Sequence, residues 1–165
     1  MYLDTAVIVK LLVRETDSDW FNHALVGRHF ETSDLALPEV RSALLGKERA
    51  GAISARERVA ATERFAAMAE DELIRLLPLD RAVVERACAI QLACHPSVPL
   101  RTLDALHVAS CDLHRCEALA TTDTRMRAAC DHFGISLLPA NMAEVTSQPI
   151  TPTLHHSITP PSPHA

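Results

Sequence analysis

The sequence predicts one α/β domain: a central, mostly parallel β-sheet of about five short strands, flanked by helices on both sides. Three observations carry this expectation. Short apolar runs of strand length alternate with longer stretches whose apolar residues recur at helical spacing, which is the pattern of βα units. A chain of 165 residues, 48% of them hydrophobic, suits one core of useful size. With 22% charged residues, no run reaches the roughly 18 apolar positions of a membrane span.

The elements follow in order. Residues 1–4 read as a very short first strand and 5–13 as a helix, although Val7, Ile8 and Val9 would also suit a strand. After a polar turn, Trp20, Phe21, Ala24 and Leu25 mark an amphipathic helix ending near Gly27, and 29–33 are the second strand. Residues 35–50 are helical, with Leu37, Val40 and Leu44 on one stripe, Pro38 tolerated early and Gly51 as the stop. Ser54-Ala55-Arg56-Glu57 is a capping box that opens an alanine-rich helix to about Asp71. Residues 73–77, bounded by Pro78, form a buried strand.

Asp80 caps the next helix, which presents Val83, Ala87 and Ile90 on one face and is stopped by Pro96 and Pro99. A further helix opens at 101–109 with Thr102 as its N-cap and Leu103 and Leu106 toward the core. Residues 118–121 are a strand, Asp123 caps a helix that Gly134 ends, and 135–138 are the last strand. The segment 141–165 is different in kind. Five of the ten prolines fall in it (Pro149, Pro152, Pro160, Pro161, Pro163), and 146–165 carry no charge apart from histidines, so it is expected to be a flexible tail beside a 1–140 domain.

Composition narrows the function. Asp4 stands where a secretory signal would want positive charge, so a cytoplasmic location is expected, with no membrane association. The five cysteines form no Cys-x-x-Cys pair and read as reduced thiols; His107 and Cys111, four apart, match no familiar zinc spacing. The four glycines build no phosphate loop, and the only lysines, Lys10 and Lys47, sit too early for a receiver-type phosphoacceptor site. A net charge of −5 disfavours simple phosphate binding by basic residues, unless bound cations stand between acids and phosphates.

Four acids share one description. Asp4 ends the first strand, Glu39 lies in the first turn after the second, Asp104 opens a helix, and Asp123 follows the strand at 118–121. In an open parallel sheet such positions gather on one edge, although a single acid at a helix start is also explained by the helix dipole alone. Clustered carboxylates repel, and a hard divalent cation removes that cost. Mg²⁺ or Mn²⁺ so held supports phosphodiester hydrolysis. Thr5, Thr121 and Thr122 are placed to orient water or phosphate, or simply to cap turns; Arg101 and Arg125 are candidate contacts to the substrate's phosphate backbone, whereas Arg41 should point away from Glu39.

The stretches Leu3-Asp4-Thr5, 37–44 (Leu-Pro-Glu-Val-Arg-Ser-Ala-Leu), 103–109 (Leu-Asp-Ala-Leu-His-Val-Ala) and 119–123 (Leu-Ala-Thr-Thr-Asp) together resemble the PIN-domain family and, within it, the VapC-type toxins of toxin–antitoxin pairs. The resemblance covers about 1–140 and implies a PIN-like fold with Asp4, Glu39, Asp104 and Asp123 as the catalytic, metal-holding acids and Thr121 in support. It further implies a Mg²⁺- or Mn²⁺-dependent endoribonuclease, a homodimer, and a small cognate antitoxin that places a basic side chain in the acidic pocket. The competing reading is a non-catalytic module that docks a basic partner. A DNA or flap nuclease is disfavoured by the small size and the absence of added basic segments.

Overall fold

The structure, a computed structural model, describes residues 1–146; most of the expected proline-rich tail, from 147 onward, lies outside the described residues. In chain order the elements are β1 (Tyr2–Leu3), α1 (Thr5–Leu12), α2 (Ser18–Ala24), β2 (Phe30–Ser33), α3 (Ala36–Arg49), α4 (Ala55–Glu70) and β3 (Ile74–Leu77). There follow α5 (Arg81–Cys94), α6 (Thr102–Leu113), β4 (Leu119–Ala120), α7 (Thr124–Phe133), β5 (Leu137–Leu138) and a short α8 (Ala143–Thr146). The strands form one sheet in the order β3-β2-β1-β4-β5. Every neighbouring pair is parallel, with Tyr2 opposite both Glu31 and Leu119.

Side chains alternate across a strand, so each short strand supplies both faces. Leu3, Ala120 and Ile74 join Val7, Ile8, Phe21, Val40, Leu44 and Phe65 in the core under α1 to α4. Tyr2, Leu119 and Leu77 join Val83, Ile90, Val108, Met126 and Cys130 in the core under α5 to α7. Two covered faces explain why the central strands β1 and β4 are apolar throughout. Among the described residues no helix is long and apolar enough to cross a membrane.

Local chemistry places the helix ends. Asp4, Asp80 and Asp123 cap α1, α5 and α7 by accepting backbone N–H groups, and the Ser54/Glu57 capping box is formed at α4. Gly134 ends α7 in the left-handed conformation at φ 68°, which costs a glycine little. The ambiguous Val7-Ile8-Val9 run is helical, and all three side chains are buried. All five cysteines are free thiols, three of them buried.

Three details differ from expectation. Leu37 is exposed, and Ala36 takes its place beside Val40 and Leu44. Leu103 is also exposed and Leu106 only partly covered; α6 turns Ala105, Val108 and Ala109 inward, small residues that let the helix lie close against the sheet. In both helices the first-turn leucine projects past the end of the core because side chains lean toward the helix N-terminus. Thr102 is the first helical residue rather than the cap. Arg101, extended at φ −78° and ψ 161°, is the cap, and its carbonyl accepts the Ala105 N–H at 2.9 Å.

Candidate metal and nuclease site

Strand β1 lies at the centre of the sheet, with β2 and β3 on one side and β4 and β5 on the other. The chain therefore changes winding direction at the β1/β4 boundary. The loops leaving the carboxyl ends of two such strands diverge and open a crevice. Asp4 follows β1 and Thr121 follows β4, so both stand at that crevice.

Asp4 is 1% exposed. One of its oxygens accepts the Val7 N–H at 2.7 Å, the bond that starts α1, and the other accepts the Thr121 hydroxyl at 2.5 Å. That hydroxyl in turn accepts the Asp123 N–H at 3.0 Å, so one threonine ties the end of β1 to the start of α7. Asp123 caps α7 through Oδ1, which accepts from the Arg125 and Met126 N–H groups at 2.8 and 3.0 Å.

Asp104 enters from the first turn of α6, its side chain 16% exposed. Its Oδ2 is buried and makes no hydrogen bond, and the same is true of Arg125 Nε, which faces it at 3.6 Å. The other end of the Arg125 guanidinium lies 3.5 Å from Asp123 Oδ2. A cation already sits between two of the acids, but loosely, beyond hydrogen-bond length at both contacts.

Glu39 stands in the first turn of α3. Its Oε2 accepts the Thr5 hydroxyl at 2.6 Å and lies 2.7 Å from His107 Nε2. Both partners adjoin another site acid in the chain: Thr5 follows Asp4, and His107 stands one helical turn after Asp104 on the same side of α6. The four expected acids thus sit in one connected arrangement, with Thr5 and Thr121 as the linking hydroxyls. Arg101 is exposed at the start of α6, where its charge favours ionised Asp104; Arg41 is exposed on α3.

The sequence reading missed His107 and Tyr2 as members of this network. His107 is 3% exposed, and its Nδ1 lies 2.8 Å from the Tyr2 hydroxyl. The available signal was a histidine three residues after Asp104, on the buried side of a helix.

The electrostatics are those of acids assembled with too little positive charge. Burial pushes the Asp4 carboxyl above its ordinary range, with a further push from Asp123, against hydrogen bonds from Thr121 and Val7. Burial and the neighbouring Asp123 likewise raise Asp104, against the pull of Arg125 and Arg101. Burial acts to raise Glu39 as well, but the hydrogen bonds from His107 and Thr5 outweigh it and hold that carboxyl below its ordinary value.

These directions fix a pH dependence. Asp4 and Asp104 bind protons more tightly in the folded chain, so their contribution favours folding at low pH. It is lost as pH rises from the ordinary carboxylate range through their raised folded values. Glu39 acts oppositely, its stabilisation present above the ordinary value and lost as pH falls through the lowered one. Thermal melts in chelator should therefore show the wild type losing stability relative to Asp104→Asn as pH rises through that upper window. Parallel curves would contradict the raised Asp104.

Among the described residues, no three His, Cys, Asp or Glu side chains are placed together so as to hold a metal ion. The donor set nevertheless fits a hard cation: it is all oxygen, and one buried carboxylate oxygen has no hydrogen-bond partner. Mg²⁺ asks no more than one or two carboxylates, because it keeps several waters and takes substrate oxygens.

The PIN domain profile matches residues 1–131. The chain is 35% identical over 144 residues to Ribonuclease VapC46 of Mycobacterium tuberculosis, a match covering 84% of this chain and 95% of that protein. Its fold is similar to that of M. tuberculosis VapC20, described as a Sarcin-Ricin loop cleaving toxin, with a TM-score of 0.62 at 20% identity over 78% of this chain and 93% of that one. FitAcB from Neisseria gonorrhoeae superposes with a TM-score of 0.58 at 19% identity, over 82% of this chain and 94% of that one. VapBC2 from Rickettsia felis, bound to a promoter DNA fragment, gives 0.58 at 9% identity, over 82% and 95%. At these identities the solved structures speak for the fold.

Proposed function

The chain belongs to the PIN-domain family, among its VapC proteins, and from that premise we propose that it is a divalent-metal-dependent endoribonuclease, the toxin of a toxin–antitoxin pair. The observation that supports this best is the meeting of Asp4, Asp104 and Asp123 at the β1/β4 crevice, with an unpartnered buried oxygen on Asp104. In this reading those three, with Glu39, hold Mg²⁺ or Mn²⁺ directly or through water. A bound divalent ion supplies an activated water and stabilises charge developing on the phosphate.

The chain's own residues do the rest. Thr121 keeps the Asp4 carboxylate turned toward α7, and Thr5 fixes Glu39 beside it. Arg101 and Arg125, at the rim, hold the RNA backbone, for which the guanidinium fork is well shaped. A small antitoxin and a second copy of the chain are the proposed protein partners. The Arg125 guanidinium resting between Asp104 and Asp123 supports the idea that an antitoxin arginine or lysine inhibits by entering the same place.

Arg125 therefore has two opposed effects. Arg125→Gln should tighten Mn²⁺ binding, because a competing cation is removed, and should raise the KM for RNA. Calorimetry and cleavage kinetics on one preparation check both signs. Weaker Mn²⁺ binding in this variant would contradict the competition.

The reading is tested by incubating the purified full chain with total RNA and Mn²⁺, with and without chelator, and mapping fragment ends. Discrete fragments that vanish in chelator and return with Mn²⁺ are expected. RNA left intact in Mn²⁺ would leave the non-catalytic docking module as the better account.

A further inference from the structure

We infer that Tyr2 and His107 form a buried positioning relay that fixes the orientation of Glu39, a role that rests on the metal-site reading above. The relay runs from the sheet to the site. The Tyr2 hydroxyl accepts the Ser33 N–H at 3.2 Å and lies 2.8 Å from His107 Nδ1. At the other end of the ring, Nε2 lies 2.7 Å from Glu39 Oε2, and an ionised carboxylate can only accept, so Nε2 carries the proton that Glu39 receives.

The arrangement is specific in three ways. Tyr2 and His107 come from β1 and α6, 105 residues apart, and are 0% and 3% exposed, so neither ring is free to turn. Burial also pushes the Tyr2 phenol well above its ordinary range, which keeps it neutral. The Thr5 hydroxyl and the His107 N–H both converge on Oε2, which leaves the second oxygen of Glu39 as its free acceptor. A buried ring donating to a carboxylate while held from behind by a second polar group is the outer-shell pattern that orients a metal ligand. His107 and Tyr2 touch no substrate in this scheme; they act through Glu39.

The test uses the full chain labelled with ¹⁵N-histidine, the His107 signal being identified by its loss in His107→Gln. The ring in metal-free wild type should carry a proton on Nε2. A ring with Nε2 bare and its proton on Nδ1 would overturn the relay. Tyr2→Phe should shift that tautomer balance and weaken Mn²⁺ affinity about ten-fold, and His107→Ala about ten- to a hundred-fold. His107→Gln, which keeps an N–H donor, should recover part of the loss.

Val83→Ala, in the core that holds Tyr2, controls for destabilisation: it should lower the melting temperature and leave Mn²⁺ affinity unchanged. If Tyr2→Phe and His107→Ala bind Mn²⁺ as tightly as wild type, the relay is wrong while the metal site stands. A wild type that binds no Mn²⁺ would overturn the metal reading itself, and the role of the relay with it.

Discussion

Asp104→Asn should abolish RNA cleavage and leave the fold intact. The side chain contributes a buried carboxylate oxygen that makes no hydrogen bond and is faced only by the Arg125 guanidinium at 3.6 Å, a place a divalent ion would fill better. Losing a metal-held charge removes several kcal/mol of transition-state stabilisation, a drop in rate of about a thousand-fold or more. Stability should hardly move. Asn is the same size and removes a charge that burial and Asp123 already oppose, while the lost Arg125 pairing is long and partly exposed, worth under ~1 kcal/mol. Cleavage rates and thermal melts on the same sample check both halves. A variant that cleaves at the wild-type rate would remove Asp104 from the site, and one that fails to fold would make it structural.

Asp4 should behave differently, because it holds the fold as well as the site. Asp4→Ala strips the N-cap from α1, worth about 1 kcal/mol, and leaves the buried Thr121 hydroxyl without its acceptor, about 1–3 kcal/mol more. Part of this is returned by removing a carboxylate whose charged form burial disfavours. The expected outcome is an inactive protein that melts several degrees lower. Asp4→Asn retains an oxygen for the Val7 N–H and should melt closer to wild type while remaining inactive. Equal melting temperatures for the Ala and Asn variants would show that the cap and the Thr121 bond contribute nothing.

These two acids were both legible in the sequence, since each sits at a helix start that local pattern announces. The same holds for the Ser54/Glu57 box, the Asp80 cap and Gly134, where the deciding interactions span four residues or fewer. Pairing between distant elements was not legible. That Thr121 bonds Asp4, or that Tyr2 meets His107, depends on β1 lying next to β4 and under α6. Strand order of that kind leaves no mark in apolar periodicity.

Helix facing failed where packing distance decided it. Spacing alone favoured Leu103 and Leu106, but a helix lying close to the sheet has room for Ala105 and Ala109 and sends the larger side chains to its edges. Arg125 was read as a residue for RNA. The structure adds that it faces inward first, toward Asp104 and Asp123, which makes it a competitor for any cation that enters.

Everything proposed for this protein depends on the acids at the β1/β4 crevice being a cation site. Calorimetric titration of the full chain with Mn²⁺, repeated on Asp104→Asn, addresses that without needing to know the RNA. Saturable binding in the wild type, weakened at least ten-fold in the variant, is what the site requires. Wild type and variant that bind Mn²⁺ alike, or not at all, would reduce the shared position of the four acids to helix capping and docking.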